Sequence, residues 1–559
     1  MRSLPHLLIC CLLSSSALAF QFSFSVPFFK SSQAILDEQQ DNGGPPRIAI
    51  VGAGAAGSSA AFWIGKARER FGIDVEVDVY ERSDYVGGRS TTVYPYGDTN
   101  LPPVELGASI FVEANKNLMR ASKEFNLTLA KFEDDDSDTG IWDGQNFIVV
   151  MKSGGFFKSW WSTLKVLWRY GYTAPTQTRT FVQNMVKQFG RLYVTESPRW
   201  DDIADLAARF EWTALANHTT AEYLDSKGVS PKFSREVVEA ATRVNYGQNV
   251  DEIHALEGAA SMAATGASGV ATGNYKIFEQ FIERSGATLH LGTTVKEIKR
   301  KAPSSSLWSV VTTSGSTKTY KGVILASPFH FSHITLPTDL ADLIPEQPYV
   351  HLHVTLLATR SPHASAEYFG LGEKEEVPQT VLTTYEGVRK GGKEPEFNSL
   401  SYHGVINRTR AAEGEGEEAV EEEEVKEYVV KIFSKETVSD EWLERIFGHV
   451  GWVYRKEWDA YPKLPPASVF PPVKLDQGLY YVNSFEPFIS TMETETIASR
   501  NVVDLLLHEE FGSGICGSLL SSVGSEEAYG AGASKEGAGA RGKGGDEKGG
   551  EEFVLGWDC

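Results

Sequence analysis

Cysteine is almost missing from this chain. Of 559 residues four are cysteines; Cys10 and Cys11 fall in a leading segment expected to be removed, leaving Cys516 and Cys559 at the far end. The expected folded part holds none, which excludes a disulfide framework, a thiolate nucleophile and cysteine-ligated zinc. Whether the last two thiols pair is left open. No histidine stands in an HExxH pair, so no metal site is expected. No stretch reaches the roughly 18 uninterrupted apolar residues of a membrane span. Positive charge is short as well: 53 Lys and Arg against 74 Asp and Glu leave −21. A field of that sign repels nucleic acid, which is not expected as a partner.

What is present describes a globular chain, with 41% hydrophobic and 23% charged residues and length for more than one structural unit. Arg2, the apolar run from Leu7 to Leu13 and the closing Ala17-Leu18-Ala19 read as a secretory signal over 1–19, followed by a linker over 20–44. The mature chain is expected to start near Phe20 and to lie in the secretory pathway, either in a lysosome or vacuole or secreted. Sequons at Asn126, Asn217 and Asn407 offer glycosylation sites. Residues 411–427 hold nine glutamates and one lysine, a block that predicts a solvated insertion loop. Residues 512–552 contain thirteen glycines with little apolar periodicity, which predicts a disordered tail over 511–559 and a folded unit ending near Glu510. The closing apolar cluster 553–557 reads as a chance hydrophobic end, with docking on the body as the alternative.

The strongest motif is Arg47-Ile-Ala-Ile-Val-Gly52-Ala53-Gly54-Ala-Ala56-Gly57, an apolar strand running into a glycine-punctuated turn. Gly52 permits the tight turn, Gly54 lets a pyrophosphate approach the backbone, and Gly57 brings helix and strand together. The helix expected over 58–71 then presents its N-terminus to the phosphates. A second alternating strand, Val75 to Tyr80, ends at Glu81, 24 residues beyond Gly57, where a carboxylate can accept both ribose hydroxyl protons.

The next segments resemble those of FAD-dependent amine oxidases and their relatives. Arg82-Ser-Asp-Tyr-Val-Gly87-Gly88-Arg89 is similar to their second diphosphate-binding segment, in which Arg89 would neutralise phosphate charge. Glu105-Leu-Gly107-Ala108-Ser109 resembles the segment laid beside the flavin, and Gly322 to Pro328 the returning strand of the nucleotide domain. The resemblance implies adenine contact near Val295, and a helix N-terminus at Met492 and Glu493 aimed at the flavin pyrimidine ring. Within this superfamily, Ala241-Thr-Arg243-Val-Asn-Tyr246-Gly-Gln248 and Val482-Asn-Ser-Phe-Glu486 resemble prenylcysteine oxidases, also called prenylcysteine lyases, over about 47–507. One departure is Thr272-Gly273-Asn274, where that pattern has paired glycines.

The resemblance implies an α/β fold: a discontinuous Rossmann-type FAD-binding domain from 45–125, 285–335 and 475–510, and a mixed α+β substrate domain from 126–284 and 336–474, as in amine-oxidase-like flavoproteins. Strands are expected at 349–358 and 379–385, and helices at 180–195 and 230–243. The implied activity is oxidation of a farnesyl- or geranylgeranyl-cysteine thioether by FAD, with O2 and water, to cysteine, a prenyl aldehyde and hydrogen peroxide. The protein supplies position and a dry pocket. Arg243 and Tyr246 are candidate substrate contacts, while His330 and His333 are read as ordinary loop residues. Residues 154–189, where Trp160, Trp161, Trp168, Tyr170 and Tyr172 alternate with Lys158, Lys165 and Arg169, admit two readings: a helix packed on the core, or a peripheral membrane contact that admits a lipid-like substrate. No obligate protein partner is inferred. Two rival readings stay open, an amine oxidase or desaturase and a non-enzymatic prenyl-binding escort protein; Glu81 and the signal argue against the escort.

Overall fold

The first apolar run forms strand β1 (Arg47–Val51), the glycine-rich stretch after it opens helix α1 (Ala55–Phe71), and the next alternating run forms β2 (Glu76–Tyr80). Far along the chain, β3 (Thr288–His290), β4 (Gly322–Leu325), β5 (Lys474–Asp476) and β6 (Leu479–Tyr481) join them in one sheet of order β5-β6-β4-β1-β2-β3. All pairs are parallel except β5–β6, with Ile50 opposite both Val79 and Ile324. A parallel sheet must be covered on both faces, and alternation along β1 does this. Ile48 and Ile50 pack with Phe62, Trp63 and Phe281 on the helical side, which α1, α2 (Tyr275–Ser285) and α3 (Met492–Phe511) cover. Ala49 and Val51 pack with Trp308 and Tyr320 of a three-stranded antiparallel sheet on the other face.

The structure is a computed structural model that describes residues 44–131, 137–152, 166–264, 266–411, 422–517 and 552–559. The expected signal and nearly all of the linker lie outside these residues, as do 153–165 of the aromatic stretch. A second sheet has seven strands in the order Val450–Pro462, Tyr349–Thr359, Glu422–Ser434, Ser399–Ala411, Thr380–Thr383, Thr139–Trp142 and Phe147–Met151. Helices Thr173–Phe189, Glu239–Tyr246 and Ala255–Met262 accompany it. Pro45 to Cys559 is one compact unit that includes both sheets.

Three expectations fail against this fold. The last third of the acidic block is not a loop: residues 422–427 open a long strand paired antiparallel with Ser399–Ala411, Asn407 opposite Lys426. Glu427 is buried and accepts from the Tyr96 hydroxyl at 2.7 Å and Arg408 Nε at 3.1 Å, so a cation on the neighbouring strand neutralises, and a distant phenol hydrogen-bonds, a charge that looks unpaired in sequence. Residues 412–421 lie outside the described residues.

The chain end is not wholly a disordered tail either. Gly512 closes α3 in the left-handed conformation, and 552–559 dock on the body. Trp557 sits among Phe62, Trp63, Phe125 and Phe281, its indole N–H donating to Asn117 Oδ1 at 3.2 Å. Arg70 donates to the carbonyls of Gly556 and Trp557, and Arg500 to that of Leu555. Finally, the fold does contain cysteine, because Cys516 and Cys559 form a disulfide across 43 positions of sequence.

Candidate active site

Gly52 leaves β1 at φ 107°, where a Cβ would meet the Ala326 carbonyl oxygen at 2.5 Å, and a Cβ on Gly57 would stand 1.8 Å from the Gly52 carbonyl oxygen. Only glycine fits either place, so α1 begins hard against the end of β1. Gly54 caps it without a side-chain acceptor, and no acidic residue occupies its first turn. The positive end of a 17-residue helix therefore opens, through Gly54, Ala55 and Ala56, onto a cavity of about 820 Å³.

Glu81 lines that cavity at the end of β2, with Oε2 accepting the Ala53 N–H at 2.8 Å and Oε1 the Ser83 N–H at 2.8 Å. Gly88, at φ 59°, brings its backbone against Gly54, while Arg82 and Arg89 line the same space. Arg89 ion-pairs with the buried Glu486 and donates to the Ala460 carbonyl at 3.1 Å, and the Tyr349 hydroxyl donates to the other Glu486 oxygen at 2.5 Å. Gly107, Ala108 and Ser109 form a further strip of wall. Asn274 clamps that strip: its N–H donates to Glu105 Oε1 at 2.6 Å and its side-chain amide to the Ala108 carbonyl at 2.8 Å. The single glycine in Thr272-Gly273-Asn274 thus leaves Asn274 able to reach this wall. Val295 and Met492 complete the expected lining.

Four expected residues do not line the cavity. Ala53 and Gly57 act behind it, one through its N–H to Glu81 and one through close packing. Glu493 turns away from it into the body. Its carboxylate accepts the Asn117 and Leu118 N–H groups at 2.8 and 3.0 Å and the Tyr193 hydroxyl at 2.5 Å, capping the helix Lys116–Glu124. Arg243 is buried between helix and sheet, donating to Thr383 Oγ1, Asn249 Oδ1 and Asn398 Oδ1 at 3.0, 2.8 and 3.1 Å. It is a structural arginine, whereas Tyr246 of the same segment does line the cavity, beside Glu257. His330 and His333 are not among the lining residues, and His330 bonds the Ile344 carbonyl at 3.1 Å.

The cavity also gathers residues that sequence reading missed. Ser90 Oγ, Asn483 Oδ1 and both carboxylate oxygens of Glu495 are buried, line it and have no partner among the described residues. Burial and the neighbouring Glu486 push the Glu495 carboxyl well above the usual range, which favours its protonated form. Unsatisfied buried polar atoms are costly, and a ligand rich in hydroxyl and phosphate groups supplies what they lack. With the uncapped helix and Glu81, they fit a dinucleotide such as FAD. A signal for Glu495 was one helical turn away, three residues past Met492 and on the same face. His403, Lys431 and Lys456, on separate strands of the second sheet, had no local signal.

One group of metal-ligand composition occurs among the described residues: His351, His353 and Glu457, whose ligand atoms lie within 4.8 Å of one another on a partly exposed face of the second sheet. It is outside the cavity lining.

Comparison with known proteins places this geometry. The family profile for prenylcysteine lyase matches residues 157–514, and that for an NAD(P)-binding Rossmann-like domain matches 50–125. A farnesylcysteine lyase from Arabidopsis thaliana is 29% identical over 512 residues, 87% of this chain and 94% of the relative. The prenylcysteine oxidase 1 of Homo sapiens is 29% identical over 489 residues, 83% of this chain and 89% of its own. Among solved structures, wild-type putrescine oxidase bound to putrescine superposes with a TM-score of 0.52 at 14% identity, covering 82% of this chain and 99% of that one. A cyclohexylamine oxidase from Brevibacterium oxydans IH-35A gives 0.50 at 15% identity, covering 83% and 99%. These two share the fold.

Proposed function

Because the chain belongs to the prenylcysteine lyase family, whose profile covers more than half of it, we propose that it oxidatively cleaves the thioether of a prenyl-L-cysteine. It is an FAD-dependent oxidoreductase. Bound FAD supplies the two-electron acceptor for the carbon next to sulfur and the route from there to dioxygen. In the balance, one water and one dioxygen are consumed, the carbon–sulfur bond breaks, and free cysteine, a prenyl aldehyde and hydrogen peroxide leave. The chain's own task is to hold and exclude. The glycine turn, Glu81 and Arg89 hold the dinucleotide; Ile110, Phe111, Met185, Val186 and Phe189 form an apolar wall that excludes water and accepts a prenyl chain.

The observation that carries this reading is continuity: one cavity of about 820 Å³ runs from the phosphate-binding turn to that apolar wall. The purified protein should be yellow, and peroxide should appear with farnesylcysteine or geranylgeranylcysteine. Turnover of amines alone would retire the reading in favour of an amine oxidase; a colourless protein that binds prenylated protein would favour an escort role.

The proposal includes a secretory location, in lysosome, vacuole or outside the cell. It is supported by the leading segment and by the exposure of all three sequon asparagines, Asn126, Asn217 and Asn407. N-terminal sequencing of the cellular protein, with a glycosidase mobility shift, tests it; an unglycosylated protein starting at Met1 would overturn it. It includes peripheral membrane contact through 154–189 as well. In support, Trp168 is 91% and Tyr172 74% exposed just before the helix whose far end brings Met185, Val186 and Phe189 to the cavity. Failure to sediment with lipid vesicles would remove that part.

A further inference from the structure

The two sides of the cavity differ in chemistry. One side carries the apolar wall, to which the helix Thr173–Phe189 gives Met185, Val186 and Phe189 and the extended stretch before Val112 gives Ile110 and Phe111. Its sheet side is built from alternate residues of three strands of the second sheet: Ser401 and His403, Lys431 and Phe433, and Lys456 and Trp458. Register places Ser401 opposite Lys431, and sets Lys431 and Lys456 on either side of the strand Tyr349–Thr359, where they pair with Leu356 and Val354. Two strand spacings across and two residues along, about 12 Å in all, separate their backbones, a gap that two lysine side chains can close from either side.

Lys431 is held rigidly. Its ammonium donates to the Glu105 carbonyl at 3.0 Å and to Ser109 Oγ at 2.9 Å, leaving one of three N–H bonds for the cavity. No carboxylate forms an ion pair with Lys431 or Lys456 among the described residues; each lies over an aromatic ring, Phe433 at 5.2 Å and Trp458 at 5.9 Å. Burial lowers the Lys431 ammonium to about 8, so it is still mostly charged at neutral pH, and it pushes the nearby Glu105 carboxyl up to about 7, which weakens the one anion close by. His403 is exposed toward the cavity beside Lys431, whose charge disfavours a second cation there, and it offers an imidazole able to give or take a hydrogen bond. A buried cation without a counter-charge is costly, and an anion entering this wall relieves that cost.

We infer that Lys431, assisted by Lys456 and His403, forms a subsite for the α-carboxylate of the amino acid. The prenyl chain then lies against the apolar wall, and the thioether is held between that wall and the lysines. This assignment rests on the prenylcysteine reading and names what orients the substrate within it. The two walls admit an amphiphilic thioether in one direction only, and they discriminate against prenyl groups whose cysteine carboxyl is blocked.

The test compares farnesylcysteine with its methyl ester and its amide on the wild-type holoenzyme and on Lys431→Met and Lys456→Met. Wild type should favour the free acid by about tenfold or more in kcat/KM, the range of a charge-assisted hydrogen bond. Lys431→Met should raise KM for the acid about tenfold, change the ester no more than about threefold, and keep the wild-type flavin-to-protein absorbance ratio; Lys456→Met should act in the same sense with smaller effect. Equal use of acid and ester by wild type would overturn this assignment alone. So would equal losses on both substrates in the variants, or loss of flavin. If Lys431→Met does not fold, the wild-type preference and Lys456→Met decide. No turnover of acid, ester or amide by wild type would overturn the function reading, and the assignment with it.

Discussion

Glu81 does two jobs that a single substitution separates. Both its oxygens already accept a backbone N–H, from Ala53 and from Ser83, and the same carboxylate faces the cavity. Glu81→Ala frees two N–H groups and removes the charged acceptor proposed for ribose, each charge-assisted bond contributing about 1.5–3 kcal/mol. Flavin content, read as the flavin-to-protein absorbance ratio, should fall markedly in Glu81→Ala and less in Glu81→Gln, which keeps one acceptor. Unchanged flavin in the alanine variant would place the ribose elsewhere. Arg243 gives the opposite pattern. Its three acceptors are all neutral and all protein, so Arg243→Gln should cost about 2–5 kcal/mol of stability while KM for the substrate stays near wild type in the folded fraction. A selective rise in KM without a lower melting temperature would return Arg243 to the substrate site.

At the scale of elements, the chain end behaves as a clip. Val554 and Trp557 fill an aromatic niche on α1, and the disulfide from Cys516 ties the clip to the end of α3. A chain truncated after Glu510 is therefore expected to lose stability. Trp557→Ala removes a buried indole, at about 3–5 kcal/mol, and reduction of the disulfide releases a loop whose closure contributes about 3–5 kcal/mol. Melting temperature with and without reductant, in wild type and in Trp557→Ala, measures both; a truncation that melts like wild type would show that the clip is ornamental. The long strand that ends the acidic block is a similar case. Replacing 411–427 by a linker would remove Glu427, and Tyr96 and Arg408 would lose their shared acceptor, so that replacement is expected to destabilise the sheet that carries Lys431.

For the whole molecule, buried carboxyls make stability depend on pH in a definite sense. Burial pushes Glu105, Glu257 and Glu493 up to about 7, so the native state keeps protons that the unfolded chain releases from about pH 4.5 upward. Stability from these groups is complete below about 4.5 and is lost as pH rises through about 7. His254, lowered to about 4 by burial, acts oppositely: the unfolded state takes up a proton first as pH falls, so its contribution is present at neutral pH and lost in acid. The opposing contributions cancel only in part in wild type, and one variant isolates one of them. Glu257, fully buried beside Tyr246 and accepting the Ser490 N–H at 3.2 Å, is the clearest case. Glu257→Gln should melt higher than wild type at pH 8, by on the order of 1–3 kcal/mol, and no higher at pH 5. A gain that is equal at both pH values would show that Glu257 does not titrate in this window.

Much of this protein was legible in its sequence because the forces involved are short-ranged. The steric demands of Gly52 and Gly57, the alternation of β1 and β2 and the acid at the end of β2 act within a few residues or one supersecondary unit, so the dinucleotide cradle and the fold class follow from local pattern. Tyr246 was found through a distinctive segment, yet Arg243 three residues before it faces the other way, because helical phase decides which side chain reaches the cavity and which the sheet. Glu493 and Glu495 divided in the same manner. What only the tertiary structure decided depends on partners far along the chain. Ser109 lies 322 residues from Lys431, Tyr96 lies 331 from Glu427, and Asn117 lies 440 from Trp557. Composition marks a glutamate-rich block and a glycine-rich tail as unable to pack by themselves, and it carries no record of the arginine, the phenol and the aromatic niche that receive them. Burial turns those same charges and rings into bonded partners, and it does so only after the two sheets have brought the distant segments together.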